Sequence, residues 1–270
     1  MKAKTEELLY LLMWSCDLLA RPTFRNLTDS FESWAYRHGL RHQLAQLERR
    51  KFLESQVREK CASGSFERVV RLTEEGRLHA LGGRDPDVCW RQPWDGVWRI
   101  AVFDLPQSQA SKRDQLRNHL KKHGFGCLQR SVWITPHPLH EHRELLLKSR
   151  VDAESLVFFE AQPCAGETSQ ELVTAAWDFE EINEGYKTAM KVLKRRPKTP
   201  LRNENAARIF RNWADNERDA WAAAVAKDPL LPASLNPRHY LGRKAWELRS
   251  KVLRCASTQL AACRLKLNDS

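Results

Sequence analysis

The sequence predicts an α+β protein built from three segments. Hydrophobic periodicity in the first segment indicates helices followed by two strand-like runs. The middle segment alternates strands with helices, and the last segment is helical throughout. We therefore predict domains at residues 1–84, 85–165 and 166–270. A chain of 270 residues is long enough to bury more than one hydrophobic core.

Charge is the first indication of a partner. The chain has 45 Lys and Arg against 34 Asp and Glu, a net charge of +11 and a pI near 9.5. The basic excess lies in the first and third segments, while the middle one is nearly neutral. A basic protein attracts polyanions. With 42% hydrophobic and 29% charged residues, neither a disordered chain nor a membrane bundle is expected.

The first segment predicts three helices. One covers residues 8–20 and ends at Arg21-Pro22, and the next starts at Asp29, where Glu32 completes a capping box, and stops at Gly39. The third, at 41–50, has Leu44 and Leu47 spaced for burial. Its outward positions carry side chains suited to reading bases: Arg41, His42, Gln43, Gln46, Arg49 and Arg50.

Two strand-like runs follow, at residues 52–58 and 66–72, and the turn between them contains ASGS. Three helices and a hairpin predict a winged helix-turn-helix, in which the third helix enters the major groove of DNA and the hairpin lies along the phosphates. Positive charge on the hairpin comes from Arg58, Lys60, Arg68 and Arg71. The alternative is a small helical domain with a solvated basic face.

In the middle segment the alternation of elements predicts a small ferredoxin-like α/β domain. Strands are expected at residues 97–103, 127–135 and 156–160, with helices at 111–123 and 139–148. A fourth strand is assumed, because only three runs are clear.

The third segment predicts helices at residues 168–195, at 203–226 and from about Arg243, with a proline-rich loop at 228–237. Their apolar stripes form either a core or a dimer interface.

Cysteine usage and hydropathy favour the cytoplasm. The seven cysteines are an odd number without a CxxC pair, which fits neither a disulfide framework nor a zinc knuckle. The apolar stretch at 8–20 follows Glu6 and Glu7 and contains Asp17, so it predicts a core helix rather than a signal peptide. No run approaches the roughly 20 apolar residues of a membrane span, and no membrane partner is predicted.

Motifs for cofactor chemistry are lacking: the sequence has no GxxxxGK, GxGxxG or GxSxG. The cluster of His137, His140 and His142 does not have the spacing of a helical zinc pair, and we interpret it as a surface loop. We predict no cofactor, no metal and no catalytic residue. The tryptophans at 90, 94 and 98 could stack on a ligand ring, although large aromatic residues at a domain junction more often serve packing.

The middle segment also carries a specific series of motifs: WDGVWR at 94–99, VFDLP at 102–106, Arg113 with Leu116-Arg117, GFG at 124–126 and SVWITP at 131–136. This series resembles the central block of the PaaX-like bacterial transcriptional repressors, and the resemblance covers nearly the whole chain in domain order. The later DPLLP at 228–232 is similar to the signature of that family's helical domain. Where the family usually closes with Trp-Pro-Gly, this chain has Tyr240-Leu241-Gly242.

The resemblance implies a homodimeric repressor that binds a palindromic double-stranded DNA operator and is released by an aryl-acyl-coenzyme A thioester. Such an effector needs cations for its phosphates and an apolar pocket for its acyl group. Candidate ligand residues are Lys194, Arg195, Arg196, Lys198, Arg202 and Trp98. A solvated, basic helix end is the alternative explanation of the cation cluster.

Asp104 supports a competing hypothesis. The pattern of strand, Asp, basic helix and Ser-Val-aromatic strand also resembles the small subunit of the CRISPR adaptation complex, where a carboxylate at this strand end is linked to metal-dependent nuclease activity. One aspartate is too few ligands for such a site unless a dimer mate supplies more, and a loop cap before the helix is the simpler role. A non-catalytic scaffold is the third alternative.

Overall fold

The computed structural model describes residues 41–59, 66–80, 84–139, 156–200 and 204–265. These residues belong to two compact units. The first unit combines residues within 1–85, 188–222 and 244–270, and the second combines 86–187 with 223–243. The first two predicted helices, at 8–20 and 29–39, lie outside the described residues.

The first unit begins with the third predicted helix and the hairpin. Helix α1 spans Arg41–Arg49, strand β1 Leu53–Glu59, strand β2 Phe66–Leu72 and helix α2 Glu74–Ala80. The strands are antiparallel and in register from Leu53 opposite Leu72 to Glu59 opposite Phe66. The hairpin predicted from sequence is therefore present.

A tight turn sets the direction in which the chain leaves α1 for β1. The Phe52 N–H donates to Leu47 O and the Lys51 N–H donates to Glu48 O, both at 2.9 Å. Lys51 has φ of 59°, the left-handed conformation usually taken by glycine. This is the Schellman motif, and its hydrophobic contact is made by Leu47 and Phe52, which are both buried.

The second unit contains helix α3 (Pro86–Arg91), strand β3 (Trp98–Phe103), helix α4 (Ala110–Lys122) and strands β4 (Gly126–Gln129), β5 (Val132–Thr135) and β6 (Leu156–Ala161). The four strands form an antiparallel sheet in the order β4-β5-β3-β6. Counted within the unit, this order is 2-3-1-4, the order of a ferredoxin-like sheet.

The fourth strand of the sheet, which the sequence analysis only assumed, lies within the range predicted as a single strand. Residues 127–135 form two strands rather than a single strand, because the chain turns at Arg130-Ser131 and pairs β4 with β5. One face of the sheet and α4 enclose a core of Ala101, Phe103, Leu116, Leu120, Phe125 and Trp133. The predicted helix at 139–148 falls almost entirely outside the described residues.

The remaining elements are helices α5 (Ser169–Ala176), α6 (Phe179–Lys194), α7 (Glu204–Lys227) and α8 (Gly242–Leu265). The single helix predicted at 168–195 is wrong, since α5 ends at Trp177, whose backbone is extended, and Asp178 then accepts a hydrogen bond from the Glu181 N–H to start α6. Among the described residues, no helix is long and apolar enough to cross a membrane.

Candidate nucleic-acid interface

Helix α1 has one buried side and one polar side. Leu47 is fully buried, whereas His42, Arg49 and Arg50 are exposed and Gln43 and Gln46 are half-buried. Arg41 is the first residue of the helix. The Gln46 amide donates a hydrogen bond to His42 Nε2 at 2.9 Å, one helical turn away. Of the sequence-predicted polar row, His42, Arg49 and Arg50 are thus exposed to solvent, whereas the side-chain oxygen of Gln43 is buried.

The carboxyl end of α1 carries a run of three exposed cations. Arg49 and Arg50 are followed by Lys51, which the sequence prediction left out although it continues the same basic run. Cations are stabilised at this end of a helix by the partial negative charge of its free carbonyl groups. Because the Schellman turn also passes through Lys51, the positive charge lies where the helix meets the hairpin.

The hairpin places its predicted basic residues at different register positions. Arg71 is exposed and lies opposite Glu54, which is also exposed. Arg58 lies opposite Glu67 and Arg68 opposite Val57, so the two arginines have opposite parity along the hairpin. Lys60, at the tip, lies outside the described residues. Along the backbone register, Arg58 and Arg71 therefore have one parity and Arg68 has the other.

A threonine joins the base of the hairpin to the end of α1. The Thr73 hydroxyl donates to Lys51 O at 2.6 Å and accepts from the Gly76 N–H at 3.0 Å, so it also caps α2. A Cβ on Gly76 would meet the Phe52 carbonyl oxygen at 2.1 Å. The helix, the hairpin and α2 are consequently held at fixed positions around the basic run.

The predicted ligand residues have different environments. Lys194 and Arg195 are exposed at the end of α6, whereas Arg196 donates hydrogen bonds to the Gln259 side chain and the Pro197 carbonyl. Lys198 is exposed and Arg202 lies outside the described residues. Trp98 is only 1% exposed, with its ring centroid 5.3 Å from that of Trp94 and 6.2 Å from that of Trp177. The tryptophan therefore packs in the core of the second unit.

The WDGVWR motif builds a turn around a buried arginine. Arg99 is 6% exposed and donates to both carboxylate oxygens of Asp95 at 2.9 and 2.6 Å, to Glu160 at 3.2 Å and to the Pro136 carbonyl at 3.2 Å. The hydrogen bonds from Arg99 hold the pKa of Asp95 below its ordinary value. Gly96 has φ of 82°, which explains why the turn uses glycine.

The DPLLP motif is likewise structural. Asp228 is buried and accepts hydrogen bonds from the Tyr186 and Tyr240 hydroxyls and from the Leu230 N–H. Trp90 Nε1 donates to the Tyr240 hydroxyl at 3.0 Å. Burial and the neighbouring Asp228 raise the pKa of Tyr240 far above its ordinary value, so its phenol stays protonated. Sequence reasoning recognised the motif but not this cluster.

Asp104 is exposed directly after β3. The role predicted for it is a cap of the loop before the helix. This loop contains a short 3₁₀ turn at Gln107–Gln109, and the N-cap of α4 is Gln109 without a side-chain hydrogen bond. His137 is half-buried, and His140 and His142 are not described. Within the part of the chain that the structure describes, no three His, Cys, Asp or Glu side chains are grouped so as to hold a metal ion.

The second unit also has an open groove of about 580 Å³ where α5 gives way to α6. Trp177, Phe179 and His239 line it together with the carboxylates of Asp178 and Glu180. None of the predicted ligand cations lines this groove.

Residues 91–173 match the family model of the PaaX protein central Cas2-like domain. The chain is 28% identical over 187 residues to the transcriptional repressor PaaX of Escherichia coli K12. That alignment covers 66% of this chain but 56% of the relative, so the chain spans little more than half the length of the curated protein it matches. The resemblance to PaaX-like proteins predicted from the motifs is confirmed.

Among solved structures, the uncharacterized protein Rv0674 from Mycobacterium tuberculosis is 19% identical, with a TM-score of 0.45 and coverage of 84% of each chain.

Proposed function

We propose that this chain is a DNA-binding transcriptional regulator of the cytoplasm, a homodimeric repressor that an aryl-acyl-coenzyme A thioester releases from a palindromic operator. In this proposal residues 1–84 bind DNA, 85–165 form the central ferredoxin-like domain, and 166–270 bind the effector and contribute to dimerisation. The similarity to a protein named as a transcriptional repressor supports the regulatory role.

The observation that carries the proposal is the arrangement of α1 and its hairpin. A helix in the major groove needs exposed polar side chains along one side, and His42, Gln46 and Arg49 provide them. The hairpin of a winged helix approaches the phosphates next to that groove, where Arg71 and the cations at the end of α1 can neutralise charge. The net charge of +11 favours the same partner.

Release by the effector would be a shift between two arrangements of the dimer. A ligand can move that equilibrium only as far as its affinities for the two arrangements differ. The exposed Lys194 and Arg195 are available to the phosphates of coenzyme A. Trp98 is buried, so an acyl group can contact it only if the core around it opens.

Charge reversal on α1 tests the proposal. The wild-type protein first selects a binding sequence from a random pool of double-stranded DNA, and gel-shift affinities are then measured on that fragment. Because both side chains are exposed, Arg49→Glu with Arg50→Glu should leave the fold intact, as checked by circular dichroism, and lower the affinity at least about 100-fold.

The matched control is Lys121→Glu with Lys122→Glu, a reversal of the same size at exposed positions of α4. Its affinity should change far less. Equal losses in the two variants would mean that only net charge matters. An undiminished affinity in the α1 variant would exclude α1 as the reading helix.

A further inference from the structure

The two edges of the four-stranded sheet are built differently. At one edge, β4 has four residues, a bulge between Cys127 and Gln129, and Gly126 against the side chains of Trp177 and Ala176. At the other edge, β6 pairs with β3 along all six of its residues without a register shift. Among the described strands, β3 is the only neighbour of β6.

An unprotected edge strand is unusual, because its free N–H and C=O groups can pair with another chain. Proteins normally block such an edge with a bulge, a proline or a lysine. The β6 sequence, LVFFEA, contains no proline, glycine or lysine. Its only charged residue, Glu160, is bonded by Arg99 of the neighbouring strand at 3.2 Å. The edge therefore has the properties of a pairing surface.

The outward side of β6 is apolar as well. Leu156 and Phe158 pack against the core under α4, whereas Val157 and Phe159 are 50% and 53% exposed. The structure describes four large hydrophobic residues with such exposure, and two of them are on this one strand. Neighbouring apolar residues Ile100 and Val102 lie directly opposite Phe159 and Val157 on β3. Four apolar side chains are therefore grouped on this side of the sheet, and grouped, exposed apolar residues are a feature of interaction sites.

We propose that β6 pairs antiparallel with β6 of a second copy of this chain across a two-fold axis, joining the two sheets into one of eight strands. The inference rests on the homodimer of the proposed function and adds to it a contact surface in the central domain, at Leu156–Ala161. A two-fold axis perpendicular to the sheet makes the contact isologous, so that each strand meets the same strand of the other copy.

The strand is complementary to itself in one register. With Phe158 opposite Phe158 of the second copy, each exposed Val157 lies opposite an exposed Phe159 on the same face of the joined sheet. Cross-strand pairs of an aromatic with a β-branched residue are favourable, whereas like charges directly opposite one another are not. In this register Glu160 faces Leu156, so the two glutamates do not meet.

Electrostatics favours this surface over others. Two copies with a net charge of +11 each repel one another, and repulsion is strongest where basic residues would approach. Strand β6 contains no lysine or arginine. Pairing there brings the copies together at a mainly apolar strip whose one charged residue, Glu160, is paired with Arg99.

The first test uses the full chain without DNA in sedimentation equilibrium. The wild type should have twice the mass of 31.4 kDa. The double variant Val157→Lys with Phe159→Lys should weaken self-association at least about tenfold, because both substitutions place a charge on the contact. The matched control is Val88→Lys with Ile209→Lys, where the replaced side chains are 54% and 48% exposed. A monomeric wild type, an unaffected lysine variant or an equally affected control would overturn the inference.

A second test does not depend on weakening the contact. Val157→Cys and Phe159→Cys are made separately, each with the exposed Cys164 changed to serine, and the two proteins are mixed and oxidised. Directly opposite residues have the separation that a disulfide requires. Peptide mass spectrometry should find position 157 linked to position 159 of the other copy. A dimer without that link would show that the copies join elsewhere.

The two proposals fail separately. If the α1 charge reversal abolishes DNA binding while the β6 lysine variant stays dimeric, the regulator stands and the β6 surface is wrong. If the wild type shows no sequence preference for DNA while the β6 lysine variant becomes monomeric, the surface stands and the regulator is wrong.

Discussion

At the scale of single residues, the family-like motifs of this chain act mainly through buried hydrogen bonds. Asp228 accepts from two tyrosine hydroxyls and one backbone N–H, and Arg99 donates to two carboxylates and two backbone carbonyls. A buried polar group is costly unless it is hydrogen-bonded, so each of these residues requires its partners. These motifs therefore stabilise the fold of the second unit.

We predict that Asp228→Asn destabilises the protein by about 1–3 kcal/mol, because an amide accepts at only one of the two carboxylate oxygen positions. Its NH2 group must face either the two tyrosine hydroxyls or the Leu230 N–H. Urea unfolding followed by circular dichroism measures the loss. Asp219→Asn, at an exposed carboxylate on α7, should change the unfolding free energy by less than about 0.5 kcal/mol. Equal effects at both positions would show that the cluster adds no stability.

At the scale of elements, the turns decide which surfaces the helices and strands present. The Schellman turn at Lys51 sets the start of the hairpin relative to α1. The break at Trp177-Asp178 divides a predicted long helix and allows Trp177 to pack on Trp98. The same break brings Trp177 and Ala176 over Gly126 on β4. Helix α5 thus covers one sheet edge and leaves β6 uncovered by it.

Gly126→Ala should test the contact between α5 and β4. An added Cβ would lie 2.5 Å from the Trp177 ring and 2.7 Å from the Ala176 Cβ, so the helix has to move. Overpacking of this kind costs about 1–3 kcal/mol, which a lowered thermal midpoint would show. Cys127→Ala, at the exposed neighbouring position, should be close to neutral. A variant as stable as the wild type would mean that α5 does not pack tightly there.

At the scale of the whole molecule, the positive charge would govern binding to the DNA of the proposed function. Each phosphate neutralised by a cation contributes about 0.9 to the slope of log affinity against log salt concentration. The basic excess is distributed over both flanking segments, so net charge alone does not identify the contact surface. The salt dependence of individual variants can identify it.

Lys51→Gln should reduce the magnitude of that slope by about one unit if Lys51 contacts a phosphate. Glutamine removes the charge with a side chain one bond shorter and keeps the same left-handed backbone requirement, so the turn is equally strained in both proteins. Affinities are measured between 50 and 200 mM salt, and Lys121→Gln on α4 is the control. A slope unchanged from that of the wild type would place Lys51 away from the DNA backbone.

The sequence by itself determined the α+β class, the hairpin after α1, the alternation of strands and helices in the middle segment, and the exposure of His42 and Arg49 on α1. These are local patterns, since periodicity and turn residues act over a few positions. The long-helix error has the same origin, because a seven-residue apolar repeat continues through Trp177-Asp178 without revealing that the chain turns there.

Only the tertiary structure decided that Trp98 is a core residue, that Asp228 joins two tyrosines, and that the two sheet edges are protected to different degrees. Each of these depends on residues distant in sequence, such as Tyr186 with Asp228 or Gly126 with Trp177. A linear pattern records which residues can be buried, but not which of them meet. Contacts between segments are determined by the packing of the whole chain. The exposure of Val157 and Phe159 on one strand therefore follows from the tertiary structure and not from a local pattern.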